Sequence, residues 1–327
     1  MILKSELEQR AEDFNHYWLQ FLPDQSPKEL YQAARHLPMG GGKRLRPVLA
    51  MLACQATGGN VQEVMPFAAA LELMHNFTLV HDDIMDNSHL RRGVPTVHEQ
   101  YSQPTAILAG DLLFAKTFEA MHQLSTTLDV IKYLEAEMIK CIIDICEGQE
   151  YDMSFEHRTQ VQEPEYLQMI EKKTAALFRL STLGGAVIAQ ATDQQIKAMR
   201  TYGYALGMAF QIWDDYLDMS SDEQTLGKDI GNDIRNGKKT LIAVHAFSHA
   251  KHEQKQQLER FFGNRNATDD EIHKVLESFK TSGSIDYAKK IAHQYHQQAI
   301  DALDAFPSSH AKSILEEMVT YAIQREK

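Results

Sequence analysis

Residues 65–86 read MPFAAALELMHNFTLVHDDIMD. The apolar run lacks the alternation of a half-buried strand and is rich in Ala, Leu and Met, so it predicts a long buried helix beginning near Val61. Its end carries Asp82, Asp83 and Asp86. On a helix, Asp82 and Asp86 lie one turn apart on one face, with Asp83 about 100° round. Carboxylates crowded at the end of a buried segment repel each other unless a cation sits among them, and hard oxygen ligands suit Mg²⁺. A solvated acidic helix end would explain one such cluster. However, the spacing recurs in WDDYLD, where Asp214, Asp215 and Asp218 follow the apolar run YALGMAFQI. Two matching clusters on two long helices point to paired cation sites.

The chain around them is compositionally globular. It has 327 residues, 43% hydrophobic and 24% charged, with a net charge of −12. So acidic a chain is not expected to bind nucleic acid or anionic membrane. No apolar run reaches the roughly 18 residues of a span, and the charged start MILKSELEQRAEDF does not read as a signal peptide. The expectation is a soluble cytoplasmic protein without stable membrane insertion. Cys54, Cys141 and Cys146 form no metal or redox motif and read as reduced core residues.

No proline falls between Pro164 and Pro307, and strand-like alternation is missing, so the chain reads as all-α. The first helix is expected over Ile2–Phe21, with Leu3, Leu7, Ala11, Phe14 and Trp18 as its stripe. Further helices are expected from about Ser26-Pro27 to Leu37, Pro104 to Leu124, Leu128 to Glu150, and from Pro164. Gly184, Gly185 and Gly207 lie inside helical patterns, where close helix contact is the usual compensation. No domain boundary or internal repeat is evident beyond the acid motif, so residues 1–327 are taken as one domain.

An acidic protein that binds an anion must gather its positive charge locally. PMGGGKRLRP places Lys43, Arg44 and Arg46 beside three glycines and ahead of a helix. Forked guanidinium bonds, a point charge and free backbone N–H groups suit a diphosphate. Arg91-Arg92-Gly93 makes a second basic turn, five and six residues beyond Asp86. Lys172, Lys173 and Thr174 lie in a mostly apolar helix, and Gln149 and Asp152 are either polar ligands or a cap. After WDDYLD, the polar stretch DMSSDEQTLGKDIGNDIRNGKKTL reads as a loop with the character of a lid.

GGGKRLRP, LVHDDIMDNSHLRRGVPTVH, KKTAAL, FQIWDDYLD and GKDIGNDIRNGKKT occur in the order and spacing of trans-isoprenyl diphosphate synthases. The resemblance covers about Gly40 to Thr240 and is greatest to the archaeal-type short-chain, geranylgeranyl-forming group. It implies an all-α homodimer, an isoprenoid synthase bundle of long antiparallel helices around a deep cavity, with the two acid motifs facing each other across the cavity mouth. It also implies Mg²⁺-dependent condensation of isopentenyl diphosphate with dimethylallyl, geranyl or farnesyl diphosphate through an allylic carbocation. Carried over residue by residue, Asp82, Asp86 and Asp214 would ligate Mg²⁺ directly. Asp83, Asp215 and Asp218 would act through water or as supports. Lys43, Arg46, His75 and Arg92 match the isopentenyl diphosphate pocket. Arg91, Lys173, Thr174, Gln211, Lys228 and Lys238 match the allylic diphosphate contacts. Arg44 belongs to the motif and is grouped with the substrate-binding residues. Asp229 stands where the family often has proline.

Product length is expected to depend on Phe77, followed by Thr78, with Met74 deeper. One aromatic there, rather than two adjacent, resembles the twenty-carbon type. Farnesyl or longer products are the alternative. A class I terpene cyclase would carry Asn, Ser and Glu in its second metal motif, which WDDYLD does not. A non-catalytic partner subunit would usually lack intact acid motifs. A ferritin-like di-iron bundle would need paired ExxH motifs, and Glu72/His75 and Glu119/His122 match that spacing.

Overall fold

The computed structural model describes residues 2–220 and 229–324. It is all-α apart from one two-residue hairpin. Sixteen helices are described: α1 Ile2–Trp18, α2 Lys28–Met39, α3 Leu45–Ala56, α4 Val61–Met85, α5 Val97–Gln100, α6 Gln103–Met121, α7 Leu128–Glu156 and α8 Glu163–Ile170, then α9 Ala176–Ile188, α10 Asp193–Ser220, α11 Asp229–Asn236, α12 Leu241–His249, α13 His252–Phe261, α14 Asp269–Thr281, α15 Ser284–Ala302 and α16 His310–Ala322. No helix among them is long and apolar enough to cross a membrane. The chain divides into two compact units, each assembled from separated stretches.

The first unit comprises residues 1–137, 181–199 and 305–315. Its axis is α4, which packs along α6 and α3. Asn60 caps α4 by accepting from the backbone N–H of Gln62 at 3.1 Å. From Val64 to Met74 every residue of α4 is buried. A helix apolar on all sides must lie in the middle of its unit. Ala68, Ala69 and Ala70 let neighbours approach, and Gly184 and Gly185 do the same from the other side. A Cβ on Gly184 would lie 2.1 Å from the Phe67 ring, and one on Gly185 2.3 Å from the Ala50 carbonyl. The expected close approach at these glycines is present. In α1 the expected stripe turns Phe14 and Trp18 fully inward, and the helix tightens into a 3₁₀ turn at Leu19–Phe21.

The second unit comprises residues 138–180, 200–304 and 316–327. Here α12 packs against α8, α14 and α15, burying Leu241, Ile242, Val244, Ile272, Val275, Phe279, Ala288 and Ala292 in one core. Gly207 meets Ala175 so closely that a Cβ would lie 2.6 Å from the Ala175 Cα. Thr268 caps α14 and Glu271 returns the bond to the Thr268 N–H, as a capping box.

Two expectations need correction. The polar stretch after WDDYLD is not all loop: Asp229–Asn236 form α11, while Lys228 lies outside the described residues. Ile234, buried from one face of α11, supplies the anchor that the polar composition hid. Cys146 is exposed rather than in the core, whereas Cys54 and Cys141 are buried.

Candidate active site

In the first unit, α4 carries Asp82 and Asp83 in its last turn, and Asp86 is its C-cap. The carbonyls of a helix C-terminus already carry partial negative charge, so three carboxylates there strengthen a field that only a cation relieves. The three are not equivalent. Asp82 is half-buried and Asp86 exposed, whereas Asp83 is fully buried. Arg91 Nε donates to Asp83 Oδ1 at 2.7 Å. Burial raises the Asp83 carboxyl pKa, against the lowering pull of the Arg91 charge and hydrogen bond. Asp83 is therefore held inside the fold, and Arg91, expected on an allylic diphosphate, spends Nε on it.

Arg91 reaches Asp83 from a hairpin in which Leu90–Arg91 pairs antiparallel with Val94–Pro95. Arg92 and Gly93 turn the corner with φ of +54° and +79°, the left-handed pair that a two-residue hairpin requires. Arg92 then lies across Gly42, where any Cβ would come within 2.6 Å of its guanidinium. It donates to the Gly41 carbonyl.

A cavity of about 480 Å³ opens here, lined by Gly40, Gly42, Lys43, Arg44, Leu45, Arg46, Glu72, His75 and Arg92. Four cations face one carboxylate in a chain of net charge −12. His75 is held far below its usual pKa by burial and by the charges of Arg46, Arg92, Arg91 and Arg44, so its imidazole is neutral. Arg46 Nη1 lies 3.1 Å from His75 Nε2. Since arginine only donates, Nε2 accepts and the ring proton sits on Nδ1. Such a basket of donors, relieved by a single acid, fits a doubly anionic phosphoester head. Glu72 and His75 thus face arginines, and Glu119 is exposed and pairs with Lys116 at 2.6 Å. The di-iron reading loses its ligands.

On the same unit, Phe77 is half-buried. Its ring meets His81 edge-on at 5.4 Å and lies 5.2 Å from Phe114, which in turn meets Phe118 at 5.3 Å. Thr78 turns its hydroxyl to the His75 carbonyl, and Met74 is fully buried. Phe114 and Phe118, one turn apart on α6, carried no signal in the sequence that tied them to Phe77.

The second unit repeats the pattern of the acid motif. Asp214, Asp215 and Asp218 occupy the last two turns of α10, with Asp214 half-buried, Asp218 exposed and Asp215 buried. Asp215 accepts from the Tyr166 hydroxyl at 2.6 Å and from Gln211 Nε2 at 3.1 Å. Gln211 accepts in turn from the Thr174 hydroxyl at 2.9 Å. Burial raises the Asp215 carboxyl, opposed by Lys238, Tyr166 and Gln211. Lys238 donates to Asp233 at 3.3 Å. Burial opposes its charge, but Asp215, Asp233, Asp218 and Asp152 outweigh that and raise its pKa.

Lys173 donates to Asp152, from a π-helical turn at Glu171–Ala175. A π-turn adds a residue to the helical circuit and re-aims the side chains beyond it, which is why such turns gather at functional sites. Gly148 makes room for it, since a Cβ there would lie 2.4 Å from the Lys173 nitrogen. Asp152, Tyr166, Lys173, Thr174, Gln211, Asp215 and Lys238 line one pocket of about 140 Å³. Gln149 is buried with both amide atoms lacking a partner among the described residues. Tyr166 was missed in the sequence. The available signal was its position two turns before Lys173 on the same helical run.

Among the described residues no three carboxylate, imidazole or thiolate groups converge into a ready-made cage. Mg²⁺ rarely takes such a cage. It keeps water and binds through one or two carboxylates together with phosphate oxygens. Half-buried Asp82 and Asp214 and exposed Asp86, towards the C-terminal ends of long helices, fit that habit.

An all-α fold with carboxylate pairs at helix ends and a four-cation pocket defines a diphosphate-handling synthase. The sequence model of the polyprenyl synthetase family matches residues 27–279, and the chain belongs to that family. It is 40% identical to the geranylgeranyl diphosphate synthase of Methanosarcina mazei, over 100% of this chain and 99% of that one. It is 36% identical to the geranylfarnesyl diphosphate synthase of Natronomonas pharaonis, over 99% and 98% of the two chains. The crystal structure of geranylgeranyl pyrophosphate synthetase from Pyrococcus horikoshii superposes with a TM-score of 0.94 at 40% identity, covering 99% of this chain and 98% of that one.

Proposed function

We propose that this chain is a prenyltransferase that condenses isopentenyl diphosphate with allylic diphosphates (dimethylallyl, geranyl and farnesyl) and releases geranylgeranyl diphosphate. The observation that carries the reading is the pocket at Lys43, Arg46, His75 and Arg92, a basic site in an acidic protein. It is supported by the full-length likeness to geranylgeranyl diphosphate synthases. In this reading Lys43, Arg46 and Arg92 hold the isopentenyl diphosphate head. His75, neutral and oriented by Arg46, supplies a hydrogen-bonding ring without adding charge.

Lys173, Thr174, Gln211 and Lys238 take the allylic diphosphate, joined by Lys228. Asp82, Asp86 and Asp214 take Mg²⁺, with Asp83, Asp215 and Asp218 as supports. Bound Mg²⁺ supplies electrostatic stabilisation of the departing diphosphate. The protein's own contribution is to fix the two heads, keep cations on the leaving group, and present an apolar wall at Phe77 to the growing chain. The reading takes the chain as one catalytic domain that works as a cytoplasmic homodimer.

A longer product is the second reading, favoured by the geranylfarnesyl relative. One experiment separates them. Purified protein is incubated with Mg²⁺, isopentenyl diphosphate and each allylic diphosphate, and the products are resolved by chain length. A twenty-carbon product is expected. A twenty-five-carbon product selects the second reading, and no elongated product with any substrate overturns both.

A further inference from the structure

Arg44 lies in the basic motif, yet its guanidinium is committed to protein. Nε donates to Asn15 Oδ1 at 2.9 Å, Nη1 to Glu72 Oε1 at 2.6 Å and to the Gly41 carbonyl at 3.4 Å, and Nη2 to the Pro38 carbonyl at 2.6 Å. The group also stacks 4.9 Å above the Trp18 ring. Only 6% of the residue is exposed, and Glu72 is 2% exposed. An arginine has five N–H donors, so too few remain here to fork around a phosphate. The backbone agrees. Arg44 is the N-cap of α3 with φ of +47°, a left-handed conformation that a residue with a Cβ adopts only when its surroundings hold it there.

What Arg44 grips is the glycine loop. Two of its acceptors, the Pro38 and Gly41 carbonyls, lie just before and within that loop, and the Gly41 carbonyl also receives Arg92. Glu72 is itself braced by Asn76, whose Nδ2 donates to Glu72 Oε1 at 3.0 Å. A continuous path of hydrogen bonds therefore runs from α4 through Glu72 and Arg44 to the loop, and from the loop to Arg92 at the pocket.

We infer that Arg44 is a positioning residue: paired with Glu72, it sets the Gly41 carbonyl that aims Arg92 at the phosphoester head, and it is not itself a ligand of that head. The inference rests on the proposed function for the name of the head group but not for the geometry. Lysine at this position keeps the charge and loses the fork, so it cannot hold Asn15, Glu72 and both carbonyls together.

The test uses the full-length protein with Arg44→Lys, Arg92→Ala, the double variant, and Asn15→Ala. Asn15→Ala loosens Arg44 from α1 without touching the pocket lining, and it serves if an Arg44 variant fails to fold. Arg44→Lys is expected to raise KM for isopentenyl diphosphate about tenfold, with kcat and the allylic KM nearly unchanged. Asn15→Ala should shift KM less in the same direction. In the Arg92→Ala background, Arg44→Lys should add little, because its effect passes through Arg92. An unchanged KM in Arg44→Lys overturns the inference, and so do effects that multiply with Arg92→Ala, which would make Arg44 a direct ligand. Inorganic pyrophosphate binding by calorimetry on the same variants gives a readout independent of turnover. If the unaltered protein elongates nothing, the proposed function fails, while a roughly tenfold loss of pyrophosphate affinity in Arg44→Lys that adds little to the loss in Arg92→Ala still upholds the positioning role, and unchanged or multiplying losses still defeat it.

Discussion

Tyr166 gives its hydroxyl hydrogen to Asp215 Oδ2 at 2.6 Å, and both side chains are buried. The bond joins α8 to the middle carboxylate of the second acid motif. Removing the hydroxyl leaves a buried carboxylate oxygen short of a donor, at a cost of about 1–3 kcal/mol. Tyr166→Phe should therefore lower the thermal midpoint and raise KM for the allylic diphosphate, while KM for isopentenyl diphosphate stays in place. Wild-type melting together with wild-type kinetics would show that Asp215 needs no such support.

The outer and middle carboxylates should respond differently to the same change. Asp82→Asn and Asp86→Asn remove charge from side chains that are not fully buried, so activity should fall about a hundredfold or more with little change in melting. Asp83→Asn removes the partner of Arg91 inside the fold and should cost stability as well as rate. Melting curves beside initial rates check this, and equal thermal losses in all three would refute the division.

Phe77 and Phe114 are expected to act as one wall, since their rings lie 5.2 Å apart. Phe77→Ala should shift products beyond twenty carbons, and Phe114→Ala should do the same by removing the backing. Chromatography of the hydrolysed products decides. A product profile unchanged in both variants would remove Phe77 as the limit on length.

His75 carries a pH signature. Its folded-state pKa lies well below the usual 6.5, so in acid the unfolded chain takes up a proton that the folded site refuses. The stability it contributes is complete above about pH 6.5 and is lost as pH falls towards the folded pKa. The thermal midpoint should fall more steeply below pH 6.5 in the wild type than in His75→Gln. Parallel curves for the two would count against a neutral, buried imidazole.

Much of this is legible in the sequence. The run ending in HDDIMD became a central helix because it is apolar on every face. The shared spacing of the two acid motifs is plain from the sequence alone. By contrast, α11 was hidden because Ile234, a buried anchor, sits among polar residues, and Cys146 was misplaced because a cysteine carries no directional signal. Arg44 and Arg46 look equivalent in GGGKRLRP, yet one is enclosed by Asn15, Glu72 and two carbonyls and the other meets His75.

The sequence by itself determined the all-α class, the central helix, the order of the motifs and the angle between successive carboxylates, because a 3.6-residue repeat relates neighbours on a helix without reference to anything else. Only the tertiary structure decided which carboxylate of each motif turns inward and which arginine is enclosed. Those choices depend on Arg91, Tyr166, Glu72 and Asn15, which stand 8 to 49 residues away along the chain. Burial and hydrogen-bond partners are set by packing between helices, and no local pattern encodes that.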